Sequence, residues 1–224
     1  MEPLLRPQTI DNVMTWAMFT MATFGLLRLS EFTVRRTRIN TNSNTISVPS
    51  SALRWRDITW YDREGRRIHY FEGRLSKHPA EYRITLQASK TDPFRKGVII
   101  RVFAPTAVKA MKAYANLLGG TANYNAPLFT NTRTGHPISR QEVLAKLDEL
   151  VAGIGLDPHH YNGHSFRKGG AQALHEAGVE SDMIKAIGRW SSDCYKLYIN
   201  QNTETLRTAA LAIDPANETY QSVQ

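Results

Sequence analysis

Between residues 52 and 103 the chain carries short runs rich in aromatic and β-branched residues, separated by turn chemistry, with helical patterns on both sides. "ALRWRDITWY" predicts a strand, "DREG" (62–65) a turn, and "RRIHYFEG" the partner strand. "AEYRITLQAS" and "GVIIRVF" predict a second hairpin, joined by "KTDPFRK" (90–96). Consecutive strands joined by short turns make a small antiparallel sheet. An order of helix, sheet, then helices makes an α+β fold, mostly helical.

The flanking helices follow from caps and periodicity. Thr9 caps a predicted helix over 10–25, in which Ile10, Val13, Met14, Ala17, Met18 and Met21 recur at helical spacing until Gly25 interrupts them. Ser30 starts a short second helix with Glu31 in its first turn, and residues 40–51 read as a loop. Pro105 opens a helix to about Leu118. Ser139 and Glu142 form a capping-box pattern ahead of "VLAKLDELVAGI". A helix from Ser165 ends near Gly178, and Ser181 caps another. Short helices are expected to carry the second tyrosine of "YKLY" and the tail.

Charge narrows the partner. Lys and Arg number 28 against 20 acids, a formal +8. That balance suits an anionic partner, most often nucleic acid. The one cysteine, Cys194, permits no internal disulfide and no cysteine-built metal cage, which fits a reducing compartment. The apolar run Trp16 to Leu27 is too short to cross a bilayer and is followed by Arg28 and Glu31. The N-terminus lacks a signal-peptide layout, so an intracellular protein off the membrane is expected.

Chemistry concentrates near the C-terminal end. His164 and Arg167, three apart at a helix start, suit one phosphate, although H-x-x-R alone usually marks a solvated arginine. "IGRWSSDCYKLYI" adds Trp190, which offers an indole N–H, and the tyrosines Tyr195 and Tyr198. Such a tyrosine pair is more often plain core. Upstream, Arg28 follows the apolar "FGLL", where a charge needs a partner, either Glu31 or a substrate phosphate.

"GLLRLSE", "SKTD", "HSFR" and "GRW…Y", in this order over roughly residues 10–200, resemble the tyrosine recombinase (phage integrase) family. "SKTDPFRKG" with "GRWSSD…YI" looks most like the branch of Crypton-type eukaryotic mobile elements, which implies a nuclear setting. The resemblance implies DNA strand transfer through a 3′-phosphotyrosyl link, with no metal, cofactor or ATP. Arg28 and Arg167 resemble the two family arginines that grip the scissile phosphate, where bidentate forks favour transition-state charge. His164 resembles the family histidine that hydrogen-bonds and manages protons. Lys90 resembles the β-hairpin lysine that gives a proton to the departing 5′ oxygen, with Lys77 and Lys96 as rivals. Trp190 fills a slot many relatives give to His.

The nucleophile in many relatives lies nine residues after that slot. Position 199 is Ile, Tyr198 lies eight after Trp190, and Tyr195 five. The one-residue shortening matches the mobile-element branch, so Tyr198 is the expected nucleophile and Tyr195 a packing residue. Neighbouring cations would lower the phenol pKa and align the attack. A Cys194–His164 hydrolase lacks a visible oxyanion hole and a group to orient the base.

The expected organisation is a single catalytic domain over 1–224 without the family's N-terminal core-binding clamp. Duplex DNA binding is then expected to be weak and salt-sensitive, helped by "RRTR" (35–38), "RWR" (54–56) and Lys168. The tail "TLRTAALAI" (205–213) either passes to a neighbouring protomer, giving a dimer or tetramer on DNA, or folds back on its own core. A silent DNA-binding relative and a type IB topoisomerase are the rival functions.

Overall fold

The structure, a computed structural model, describes residues 9–34, 39–40, 45–46, 52–71, 74–75, 78–86, 97–118, 124–190, 207–208 and 210–214. Among the described residues, six α-helices accompany a small antiparallel sheet: α1 (Ile10–Phe24), α2 (Leu29–Phe32), α3 (Pro105–Leu117), α4 (Arg140–Gly153), α5 (Ser165–Glu176) and α6 (Ser181–Gly188). The strands are β1 (Ile39–Asn40), β2 (Thr45–Ile46), β3 (Ile58–Tyr61), β4 (Arg67–Ile68), β5 (Tyr70–Phe71), β6 (Arg74–Leu75), β7 (Glu81–Leu86) and β8 (Val98–Val102). This is the mostly helical α+β architecture with a small antiparallel sheet that the sequence predicts.

Helix α1 is the axis of the core. Met14, Ala17, Met18 and Met21 are buried, and so are Thr15, Phe19, Thr20 and Ala22 on its other sides. A helix buried nearly all round must hide its polar atoms. Thr15, Thr20 and Thr23 do so by donating their hydroxyls to carbonyls one turn back, at 2.7, 2.8 and 2.9 Å. Complete burial of Met18 or Met21 contributes about 1.5–3 kcal/mol each relative to exposure. Helices α3 and α5 pack on α1, with Phe19 and Phe166 rings 4.7 Å apart at the α5 contact.

The four-stranded sheet has the order β4-β3-β7-β8, all antiparallel. Its register aligns Trp60 with Tyr82 and Val102, and Ile58 with Ile84 and Ile100. These six residues form the buried face. The first predicted strand is shorter than expected. Trp55–Asp57 is a 3₁₀ turn, because the buried Asp57 carboxylate accepts the Arg54 N–H at 2.8 Å and curls the chain. Its partner also divides, Arg67–Ile68 pairing with β3 and Tyr70–Phe71 with β6. The expected loop at 40–51 includes the β1–β2 pairing.

Several starts differ by a residue or two. Arg28, not Ser30, is the N-cap of α2, and Glu180, not Ser181, that of α6. Pro105 opens α3, yet Ala104 offers no side-chain cap. The cap arrives from the tail: buried Asp214 accepts the Thr106 N–H at 2.6 Å and also the Thr106 hydroxyl. Ile213 packs on Leu26, Leu174 and Ile184. The described tail residues therefore fold back on their own chain. No helix among the described residues is long and apolar enough to cross a membrane.

Candidate active site

Two helix ends build the site. At the end of α1, Leu26 N–H bonds Thr23 O at 3.2 Å and Leu27 N–H bonds Ala22 O at 2.9 Å, a Schellman turn with Leu26 left-handed at φ 46°. At the end of α6, Arg189 N–H bonds Ala186 O at 3.1 Å and Trp190 N–H bonds Lys185 O at 3.2 Å, with Arg189 left-handed at φ 59°. Helices α4 and α5 end in the same motif with Gly155 and Gly178 at the left-handed position. Leu26 and Arg189 are the two non-glycine residues of positive φ among those described. A side chain there costs about 1–2 kcal/mol, so surrounding contacts must hold both turns.

Those contacts are arginines. Arg167, 4% exposed, donates through Nη1 to Leu26 O at 2.7 Å and through Nη2 to Gly188 O. Arg189, 9% exposed, donates to Gly25 O at 3.3 Å and Leu26 O at 3.4 Å. The two strained turns are thus pinned to each other. Trp190 lies with its ring 4.5 Å from the Arg167 guanidinium carbon. A Cβ on Gly188 would overlap that ring, so the glycine makes room for it.

Glu31 joins the first turn to the second. Its Oε2 accepts Arg28 N–H at 2.8 Å and Arg189 Nη2 at 2.9 Å, while Oε1 meets Arg28 Nη1 at 3.2 Å. The Glu31 side chain is 5% exposed, against 25% for Arg28 and 8% for Arg189. Over Arg28, Arg167, Arg189 and Glu31 the site keeps a surplus of two positive charges. Such a site attracts an anion.

His164 is exposed and is the N-cap of α5. Asn162 sets it in place: its Oδ1 accepts His164 N–H at 2.9 Å, and its own N–H donates to Ser165 Oγ at 2.9 Å. Arg167 follows one turn on and is buried, unlike the solvated arginine that H-x-x-R usually marks. Gly170, a further turn along, lies against Thr23 and Leu26, so α5 approaches α1 closely.

Arg167, against the Trp190 ring, therefore bonds the turn that precedes Arg28, and Arg28 is linked to the second turn through Glu31 and Arg189, with His164 at the start of the same helix as Arg167. Lys90, Lys77, Lys96, Cys194, Tyr195, Tyr198 and the stretch 35–38 lie outside the described residues. Arg54 and Arg56 donate to Asn125, Arg54 to its carbonyl and Arg56 to its Oδ1 at 2.9 Å, and Lys168 is exposed. No three His, Cys, Asp or Glu side chains converge as a metal site would require among the described residues.

Sequence reasoning missed Arg189 and the double role of Glu31. One signal was present: Tyr198 lies nine residues after Arg189, the interval that many relatives keep between the His/Trp slot and the nucleophile.

A family model described as "Phage integrase family" matches residues 8–204. No curated protein matches the chain.

Proposed function

The chain belongs to the phage integrase family, which comprises DNA breaking-and-rejoining recombinases, and on that footing we propose that it is a DNA strand transferase working through a 3′-phosphotyrosyl intermediate without metal or ATP. The observation that carries this reading is that Arg167, against the Trp190 ring, bonds the Leu26 carbonyl of the strained turn just ahead of Arg28.

On this proposal Arg28 and Arg167 hold the non-bridging oxygens of the scissile phosphate, and Trp190 adds its indole N–H. The Tyr198 phenol oxygen attacks phosphorus and gives up its proton, with His164 managing it. The P–O5′ bond breaks as Lys90 delivers a proton to the leaving oxygen. A 5′ hydroxyl and a 3′-phosphotyrosyl ester result. Attack by a 5′ hydroxyl reverses the sequence, so bond energy is kept and rejoining needs no nucleotide. The guanidinium surplus acts most strongly as charge develops on the pentavalent phosphate. Duplex DNA as partner, assembly to a dimer or tetramer on it, and the eukaryotic mobile-element branch with its nuclear setting belong to the same proposal.

A catalytically silent DNA-binding relative is the second reading. The Arg28–Glu31 ion pair and the burial of Arg167 favour it, because both arginines already serve the fold.

Covalent trapping separates the two. The protein is mixed with a nicked suicide duplex in the absence of metal, denatured, and assayed for a protein–DNA adduct, with Tyr198→Phe and Tyr195→Phe alongside. An adduct lost only in Tyr198→Phe is the expected result. Loss only in Tyr195→Phe moves the nucleophile, and DNA binding without any adduct supports the silent reading. Supercoil relaxation without strand exchange points instead to a topoisomerase.

A further inference from the structure

Glu31 is shared by two guanidiniums, and only one of them, Arg28, has a role in the proposed reaction. A buried carboxylate paired with one guanidinium is a neutral, satisfied unit. A phosphate would have to displace the carboxylate to use that arginine. Here Arg189 takes part of the load: its Nη2 lies 2.9 Å from Glu31 Oε2, shorter than the 3.2 Å from Arg28 Nη1 to Oε1. The side chain of Arg28 is also the more exposed of the two arginines.

Backbone geometry argues the same way. Arg189 occupies a left-handed position that Gly155 and Gly178 fill at two other helix ends. Glycine would make the turn without strain. What an arginine adds is its guanidinium, which reaches Glu31 and the carbonyls of Gly25 and Leu26, just ahead of Arg28.

We infer that Arg189 is a positioning residue: it engages Glu31 and clasps the turn after α1, so that Arg28 keeps its charge available for the scissile phosphate. This rests on the strand-transferase reading above. Removing Arg189 leaves Glu31 to Arg28 alone, and Arg28 becomes a closed ion pair.

The test is a charge suppressor. Arg189→Gly removes both the guanidinium and the backbone strain, Arg189→Gln removes the charge alone, and Arg189→Lys keeps it. Adduct formation on the suicide duplex at saturating DNA is expected to fall about tenfold or more in Arg189→Gly and Arg189→Gln, and less in Arg189→Lys. Adding Glu31→Gln to either slow variant is expected to restore most of the rate, because Arg28 is then released. A purely structural Arg189 predicts no rescue, and neither does a guanidinium that meets the phosphate itself. A double variant no faster than its parent, or an Arg189→Gly protein as fast as wild type, overturns the inference.

A second measurement needs no turnover. Phenylglyoxal modification of Arg28, followed by peptide mass mapping, is expected to be several-fold slower in Arg189→Gln than in wild type. Equal rates overturn the inference. A wild-type protein that forms no adduct but shows this difference loses the strand-transfer reading and keeps the Arg189–Glu31–Arg28 relation.

Discussion

Arg167 is covered on one side by Trp190, whose ring centroid lies 4.5 Å from the guanidinium carbon, while its terminal nitrogens bond the carbonyls of Leu26 and Gly188. A buried guanidinium is thus held by two carbonyl dipoles and an aromatic ring. Trp190 itself stays 41% exposed, so it has an open side as well as a packed one.

The packing and hydrogen-bonding roles of Trp190 separate by substitution. Trp190→Ala uncovers Arg167 and loses a contact worth about 0.5–1 kcal/mol where partly exposed, read as a lower urea midpoint. Trp190→Phe keeps an aromatic face and is expected to lose less than half as much. It also lacks the indole N–H, so its adduct-formation rate is expected to fall while its midpoint stays near wild type. A Phe variant with both properties intact limits Trp190 to packing.

Gly170 gives a prediction about how α5 is seated. A Cβ there meets Thr23 O and Leu26 Cδ2, with Thr23 C at 3.3 Å, and backbone cannot swing aside. Overpacking costs about 1–3 kcal/mol, which exceeds the roughly 0.5–1 kcal/mol that alanine gains over glycine in a helix. Gly170→Ala is expected to lower the unfolding free energy. Gly169→Ala, with nothing within 4 Å of its new Cβ, is expected to raise it by the helix term alone. Equal effects in the two variants would show that α5 does not press on α1 at this point.

Local rules were legible in the sequence wherever one side chain meets nearby backbone. Thr9 Oγ1 does accept Asn12 N–H, at 3.2 Å, and Ser139 and Glu142 do close a capping box. Alternation revealed β7 and β8, whose pairs Tyr82–Val102 and Ile84–Ile100 face one core. "RWRD" misled because β-propensity gave way to one buried aspartate bonding the backbone three residues earlier. The cap on α3 comes from Asp214, 108 residues from Thr106, beyond the reach of any local pattern. The arginines divide the same way. Residue type and order singled out Arg28 and Arg167, whereas Arg189 depends on a left-handed turn for which the usual rule names glycine.

On the outer face of the sheet, Arg83 and Arg101 are directly opposite on β7 and β8. Burial first, and then the Arg83 charge, push the Arg101 pKa below the ordinary arginine value. Arg83 is held by Glu81 at 2.5 Å and lies 3.6 Å from the Tyr61 ring centroid. Like charges directly opposite destabilise a sheet; the Glu81 carboxylate acts on both arginines and offsets part of that repulsion, and the phosphates of a bound duplex would offset more. Arg101→Gln is expected to reduce duplex affinity at low salt and to lower the log–log salt slope by about 1. The unfolding free energy is expected to stay within about 0.5 kcal/mol of wild type or to rise. Unchanged affinity and slope would remove this face from the DNA surface.

The capping box of α4 sets an acid limit on stability. Burial acts to raise the Glu142 pKa, but hydrogen bonds from Ser139 and Asn131, with the nearby His136 charge, outweigh it and hold the carboxyl below its usual value. The Ser139 N–H donates to Glu142 Oε2 at 2.7 Å, and Asn131 Nδ2 donates to Oε1. The folded state therefore favours the ionised carboxylate more than the unfolded state does. That contribution is complete above the unfolded pKa of about 4.3 and is lost as pH falls through the lower folded value. The wild-type urea midpoint is expected to be flat near neutrality with respect to this group, then to fall below about pH 4.3. Glu142→Gln cannot titrate there, so it is expected to start from a lower neutral midpoint and to lose less on acidification. Parallel acid profiles for the two proteins would mean that Glu142 is equally easy to protonate folded and unfolded, and that the box contributes geometry without charge.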